Sequence, residues 1–166
     1  MLMRAMAGLI RPTSGKIEIE GQVLWKDISF PPSLGFLLEA PAFLDGYTGL
    51  DNLRLIAQIK NLIGEADIRK VLEQVGLDPD DKRKYRKYSL GMKQRLGIAC
   101  AIMERPELLL LDEPTNSLDE TAVAILPPII ADLKKAGSLI VIASHDREFL
   151  KNISDKLFEV KAGKVY

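Results

Sequence analysis

The sequence predicts an α/β fold, with a mostly parallel sheet core that carries an α-helical insert. Three observations carry this. Leu108-Leu109-Leu110-Leu111 is an apolar run without a polar break, the pattern of a strand buried on both faces, as in parallel sheets. Strands and helices alternate at both ends of the chain. Between residues 50 and 90, apolar residues recur at helical spacing instead. The expected division is a core of residues 1–45 and 104–166, with residues 46–103 as the helical part of one domain.

The elements follow in order. Residues 2–10 read as a helix ending before Arg11-Pro12, since the residue before a proline leaves the helical region. Lys16–Gly21 alternates with period two and stops at glycine, as a strand does. Leu34–Leu38 reads as another strand. From Asp51, Leu53, Ile56, Ile59 and Leu62 share one helix face, and Ile68, Val71, Leu72 and Val75 share the next, closed by Gly76. Asp78–Lys87 is charged and polar, a loop. Gly91–Met103 is helical and the leucine strand follows. Thr121–Lys135 is helical, with Pro127-Pro128 kinking or splitting it. Ser138–Ala143 reads as a second buried strand, Asp146–Asn152 as a short helix and Lys156–Val160 as a last strand.

Length and composition bound the function. The 166 residues suffice for one domain with its own core. Lys plus Arg and Asp plus Glu number 23 each, so no net field steers the chain to nucleic acid or an anionic membrane. The apolar runs are far shorter than the roughly 20 residues that span a bilayer, and no signal peptide is visible. A lone cysteine, Cys100, sits in an apolar stretch and reads as an inert core thiol in a reducing compartment. The basic cluster Lys82–Lys87 lies beside Asp78, Asp80 and Asp81 and reads as a solvated loop, with no nucleic-acid partner expected.

The chemistry concentrates where the leucine strand ends in Asp112-Glu113, the end at which open α/β sheets bind ligands. Carboxylates there are costly unless a cation or a reacting water offsets them. In phosphate chemistry Asp112 would serve Mg²⁺, and Glu113 would orient or deprotonate the attacking water. Upstream, Ser89-Leu90-Gly91 opens a helix, whose free N–H groups and dipole favour an anion. Alone, Ser89 would be an ordinary N-cap. Downstream, His145 closes the second buried strand, within reach of a γ-phosphate or its water.

Together these elements resemble an ATP-binding cassette ATPase. Tyr88-Ser89-Leu90-Gly91-Met92 resembles the family's signature loop and Leu108–Glu113 its Walker B strand. Ser117-Leu118-Asp119 resembles the D-loop, and His145 the switch histidine. Ala7–Gly15 resembles the helix end and turn after the P-loop, and Thr48–Leu53 the start of the helical subdomain. The resemblance implies a P-loop NTPase-like fold, ATP and Mg²⁺ as ligands, Glu113 and His145 as catalytic residues, and Asp112 and Glu39 as Mg²⁺ ligands. Ser89, Gly91, Glu39 and Asp119 would contact nucleotide or link paired sites. It also implies a second cassette and a membrane-spanning permease as partners, with the chain cytoplasmic and peripheral to the membrane. Phe43 and Leu53–Leu62 lie near the segment where this family meets its membrane subunit.

Three departures refine the match. Leu90 and Met92 stand where the signature usually has glycine and glutamine, and Glu39 stands at the Q-loop glutamine. These strings resemble the bacitracin and lantibiotic resistance exporters. The sequence contains no Gly-x-x-x-x-Gly-Lys-Ser/Thr; by the family's spacing Met1 falls just after it, so the first strands and phosphate-binding loop are expected to be missing. The chain is therefore expected to hydrolyse little ATP alone. Two other functions fit the same residues: a non-catalytic module lending its signature face to a complete cassette, and a soluble cassette acting on ribosomes or DNA.

Overall fold

The computed structural model describes residues 1–38, 41–162 and 164–166. Helix α1 (Leu2–Met6) is shorter than the expected residues 2–10. Gly8 takes φ +79°, and a Cβ there would lie 2.8 Å from the Ser29 carbonyl oxygen, so the chain turns away. The expected strand at 16–21 is one arm of a hairpin, β1 (Glu18–Ile19) with β2 (Gln22–Val23). Its turn residues Glu20 and Gly21 both have positive φ, as a two-residue primed turn requires.

The core sheet contains β3 (Leu34–Leu37) and, after the helical segment, β4 and β5. That segment comprises α2 (Gly49–Lys60), α3 (Glu65–Gln74), a 3₁₀ turn at Tyr85–Lys87 and α4 (Leu90–Ile102). Thr48 caps α2 by accepting from the Asp51 N–H, and Asn61 ends it in the left-handed conformation. Next come β4 (Leu108–Asp112), α5 (Glu120–Val123), α6 (Leu126–Lys135), β5 (Leu139–Ala143) and α7 (Arg147–Ile153). The chain closes on an exposed hairpin of β6 (Val160–Lys161) and β7 (Lys164–Val165).

Sheet order is β3-β4-β5, all parallel, with Leu34 opposite Leu108 and Leu108 opposite Leu139. The leucine strand lies in the middle and each leucine is buried. Leu109 and Leu111 join Leu37 and the helices on one face. Leu108 and Leu110 meet Met3 and Ala7 from α1 and its following turn on the other. This is how an apolar run without alternation becomes a strand.

Three expectations are corrected. The Ser138–Ala143 segment is not buried: β5 is an edge strand among the described residues, with Leu139 65% exposed and the rest half-buried. The expected Lys156–Val160 strand pairs only at its end, where Glu159 exchanges backbone hydrogen bonds with Tyr166 and Val160 lies opposite Val165. The expected 121–135 helix is two helices, and the break falls before the prolines. Pro127 and Pro128 occupy the first turn of α6, where a missing N–H is harmless.

The helical segment carries a chain of alternating charges. Asp51 pairs with Arg54 (3.0 Å), Arg54 with Glu65 (2.7 Å), Glu65 with Arg69 (3.2 Å) and Arg69 with Asp80 (2.9 Å). The Thr48 hydroxyl first, then Arg54, holds Asp51 below the usual carboxylate range; Arg69 and Arg54 do so for Glu65, and Arg69 for Asp80. Because these folded-state values are depressed, their stabilisation is complete above the unfolded value near 4 and is lost as pH falls below it. Urea midpoints should therefore drop from pH 6 to pH 3, and Arg69→Gln should shrink that drop. Equal drops in both chains would exclude the network as the cause. Salt should weaken the effect, since the pairs are exposed.

Candidate functional site

The site is built at the C-terminal ends of β4 and β5. Pairing of Asp112 with Ala143 sets the residues that follow each strand side by side. The Glu113 N–H donates to the Ala143 carbonyl at 2.8 Å, then the backbone reverses with Glu113 at φ +48°. This turn separates the two acidic side chains.

The Glu113 carboxylate faces the β5 end. Its Oε1 accepts from the His145 backbone N–H at 3.1 Å, and its Oε2 lies 2.8 Å from His145 Nδ1. The Ser144 hydroxyl donates to Oε2 at 3.4 Å. An ionised carboxylate only accepts, so this geometry calls for the hydrogen on Nδ1. The imidazole is 77% exposed and Glu113 32%, so ligand has access to both. Asp112 differs: it is half-buried and, among the described residues, accepts no hydrogen bond and joins no ion pair. An oxygen donor without a partner suits a hard cation such as Mg²⁺. Among the described residues there is no group of three His, Cys, Asp or Glu side chains that could hold a metal ion.

Two further elements adjoin this turn. Ser89 caps α4, its hydroxyl accepting from the Met92 N–H at 3.2 Å, and Leu90 is 73% exposed beside it. Gly91 packs so closely that a Cβ would lie 2.9 Å from the Ser117 carbonyl oxygen. Asp119 caps α5 by accepting from the Ala122 N–H at 2.7 Å. The structure thus gathers Asp112, Glu113 and His145 at one sheet end, seats the first turn of α4 with Ser89 and Gly91 on the Ser117 turn, and leaves Asp119 at the exit of that turn. Glu39 lies outside the described residues.

Sequence reasoning assigned no role to Gln94. It is buried, and its side-chain amide donates to the carbonyls of Glu113 and Pro114, both at 3.2 Å. Its sequence neighbours Lys93 and Arg95 are charged, so nothing local marks Gln94 as buried; its partners, main-chain atoms 19 and 20 residues away, leave no mark in a pattern of side chains. Away from the site, the basic cluster forms no uniform cationic face: Arg83 pairs with Asp81, and Tyr85 is buried with its hydroxyl donating to the Pro41 carbonyl at 2.6 Å. Burial pushes the Cys100 thiol up to about 11, which keeps it protonated and inert.

The family model for the ABC transporter matches residues 1–116. The chain belongs to the ABC transporter family. This ABC transporter chain is 45% identical to the uncharacterized ABC transporter ATP-binding protein YybJ of Bacillus subtilis, over 99% of this chain and 76% of that protein. It is 39% identical to the bacitracin transport ATP-binding protein BcrA of Bacillus licheniformis, over 98% of this chain and 54% of that protein. It is 36% identical to the lantibiotic transport ATP-binding protein SrtF of Streptococcus pyogenes, over 99% of this chain and 70% of that one. The chain therefore spans between about half and three quarters of these relatives. Among solved structures, an ATP binding subunit of an ABC transporter superposes with TM-score 0.80 at 26% identity, covering 93% of this chain and 66% of that one. The ATP-binding cassette MJ0796, a dimer bound to ADP and Pi, superposes with TM-score 0.79 at 20% identity, covering 91% of this chain and 71% of that one. The expected α/β cassette fold and the resemblance to bacitracin and lantibiotic transport proteins both hold. Among the described residues, no helix of this ABC transporter chain is long and apolar enough to cross a membrane.

Proposed function

We propose that the chain is the ATP-hydrolysing subunit of an exporter that removes peptide antibiotics of the bacitracin or lantibiotic kind, working on a membrane-spanning permease and paired with a second cassette. The observation that carries this is the Glu113 carboxylate held by His145 and Ser144 at the end of the buried strand, beside Asp112, whose side chain has no partner among the described residues. The names of the relatives support the substrate class.

In this reading Glu113 holds the attacking water and accepts its proton. The His145 backbone N–H and Nδ1 keep the carboxylate aimed, and the exposed ring reaches the γ-phosphate. Asp112 would hold Mg²⁺ together with the phosphates; the ion, when bound, neutralises charge that develops on the phosphoryl oxygens. Ser89 and Gly91 present the α4 N-terminus to nucleotide held by the second cassette, and Asp119 lies where the paired sites would communicate. The cassette would sit at the cytoplasmic face of the membrane through its permease.

Without a P-loop, the main grip on triphosphate is absent from the 166-residue sequence. The test compares this chain with the same chain fused behind a segment that supplies a first strand and a Gly-x-x-x-x-Gly-Lys-Ser/Thr loop. Phosphate release should be at background for the first and at ordinary enzymatic rates, about 1 s⁻¹ or faster, for the second. A folded fusion that binds a fluorescent ATP analogue without releasing phosphate would overturn the hydrolytic reading. Turnover by the unfused chain would overturn the need for a P-loop.

A further inference from the structure

Glu113 sits in a conformation its neighbours must enforce. At φ +48° it occupies the left-handed region, sparsely populated by residues with side chains. It also precedes Pro114, and a following proline pushes a residue toward extended backbone. Such a residue stays in place only where surrounding contacts over-determine it. The N–H to Ala143 fixes one side of the peptide. The carbonyl side is fixed by Gln94, whose Nε2 donates to both Glu113 O and Pro114 O. Gln94 is 9% exposed and Pro114 is fully buried, so little water can substitute for these bonds. Gly91, one helical turn earlier, lies against the Ser117 carbonyl on the same turn.

We infer that Gln94 is a positioning residue for Glu113: it ties the first turns of α4 to the backbone of the catalytic turn, so that the carboxylate keeps its place against His145. The inference rests on the reading of Glu113 as the group that holds the water. It adds a link within one chain, by which a shift of the Ser89–Gly91 end of α4 displaces Glu113.

His145 is the sole histidine of the sequence, so its ring nitrogens give one isolated signature in ¹⁵N spectra of the full chain. Glu113→Gln provides the reference for a ring that has lost its carboxylate. Gln94→Met keeps the side-chain volume and removes the donor. It should move the His145 ring signals toward the Glu113→Gln reference and speed exchange of the Glu113 amide about tenfold relative to Leu110. A merely structural role would speed exchange across α4 and β4 evenly and leave the ring signals in place; that result, or a folded variant identical to wild type, overturns the inference. If Gln94→Met does not fold, Gln94→Asn, which keeps the amide one methylene short of its partners, is read the same way. If neither folds, the wild-type Gln94 side-chain amide decides: slow exchange supports the bonds, and exchange as fast as a free amide overturns them. No nucleotide enters these measurements, so failure of the ATPase reading would appear separately, as a fusion that releases no phosphate.

Discussion

Glu113→Gln, placed in the P-loop-bearing fusion, is expected to lower single-turnover phosphate release by about 10²–10⁴-fold, the range that a positioned proton acceptor contributes. ATP binding should change by less than about threefold, because the substitution keeps size and removes only charge and basicity. The geometry favours a clean loss. The amide oxygen can still accept from the His145 backbone N–H, as Oε1 does at 3.1 Å, so the side chain has a reason to stay. The amide nitrogen would then stand near 2.8 Å from His145 Nδ1, where two donors cannot face each other, and the imidazole must move its hydrogen to Nε2. Water at the site thus loses its proton acceptor while the fold survives. Stopped-flow phosphate release and titration with a fluorescent ATP analogue give the two quantities. A fall of less than about tenfold in the rate would remove Glu113 from its assigned role, and equal losses in rate and affinity would make it a binding residue.

Particular residues show why some of this was legible in sequence. Four consecutive leucines fit β4 because a short, unbroken apolar run suits a strand covered on both faces, and Leu108–Leu111 are buried accordingly. The Asp112-Glu113 pair was legible for the converse reason: charge at the end of such a strand needs a use. Ser138–Ala143 has the same apolar character but lies at an edge among the described residues, since composition reports how greasy a strand is and not how many neighbours it has. The early end of α1 depends on Ser29 and Phe30 approaching Gly8, a contact across 21 residues that local periodicity does not contain. The 124–125 break between α5 and α6 follows from proline preferring the first helical turn, so the prolines were informative and the expected location of the interruption was not. At the site, the residue types that do chemistry stood out; the left-handed turn at Glu113 and the amide that holds it did not, because both concern main-chain geometry.

Gly35→Ala should be the most damaging single-methyl addition in the core. Gly35 sits in β3 opposite Leu109, beneath the C-terminal turn of α4. A Cβ there would collide with the Ala101 carbonyl oxygen and come within 2.6 Å of Pro106 Cγ. Neither obstacle can rotate away: one is helix backbone, the other a ring whose residue lies between α4 and β4. The strand or the helix must move; overpacking of this kind typically costs about 1–3 kcal/mol, and contact with helix backbone puts this site at the upper end, about 3 kcal/mol. Against a total of roughly 5–15 kcal/mol for a domain, that lowers the melting temperature by about 6–12 °C at this chain length. Gly46→Ala is the control, for among the described residues nothing beyond its chain neighbours lies within 4 Å of its Cβ, and its φ is not in the left-handed region; it should stay within about 0.5 kcal/mol of wild type. Urea unfolding of the three chains measures this, and a Gly35→Ala midpoint equal to that of Gly46→Ala would show that β3 and α4 part without strain. The expected loss reaches the site as well. The α4 that Gly35 supports carries Gln94, so a helix displaced at Ala101 pulls on the Glu113 turn at its other end. Gly35→Ala should therefore disturb the His145 ring signals under conditions where the chain is still folded, whereas Gly46→Ala should leave them unchanged.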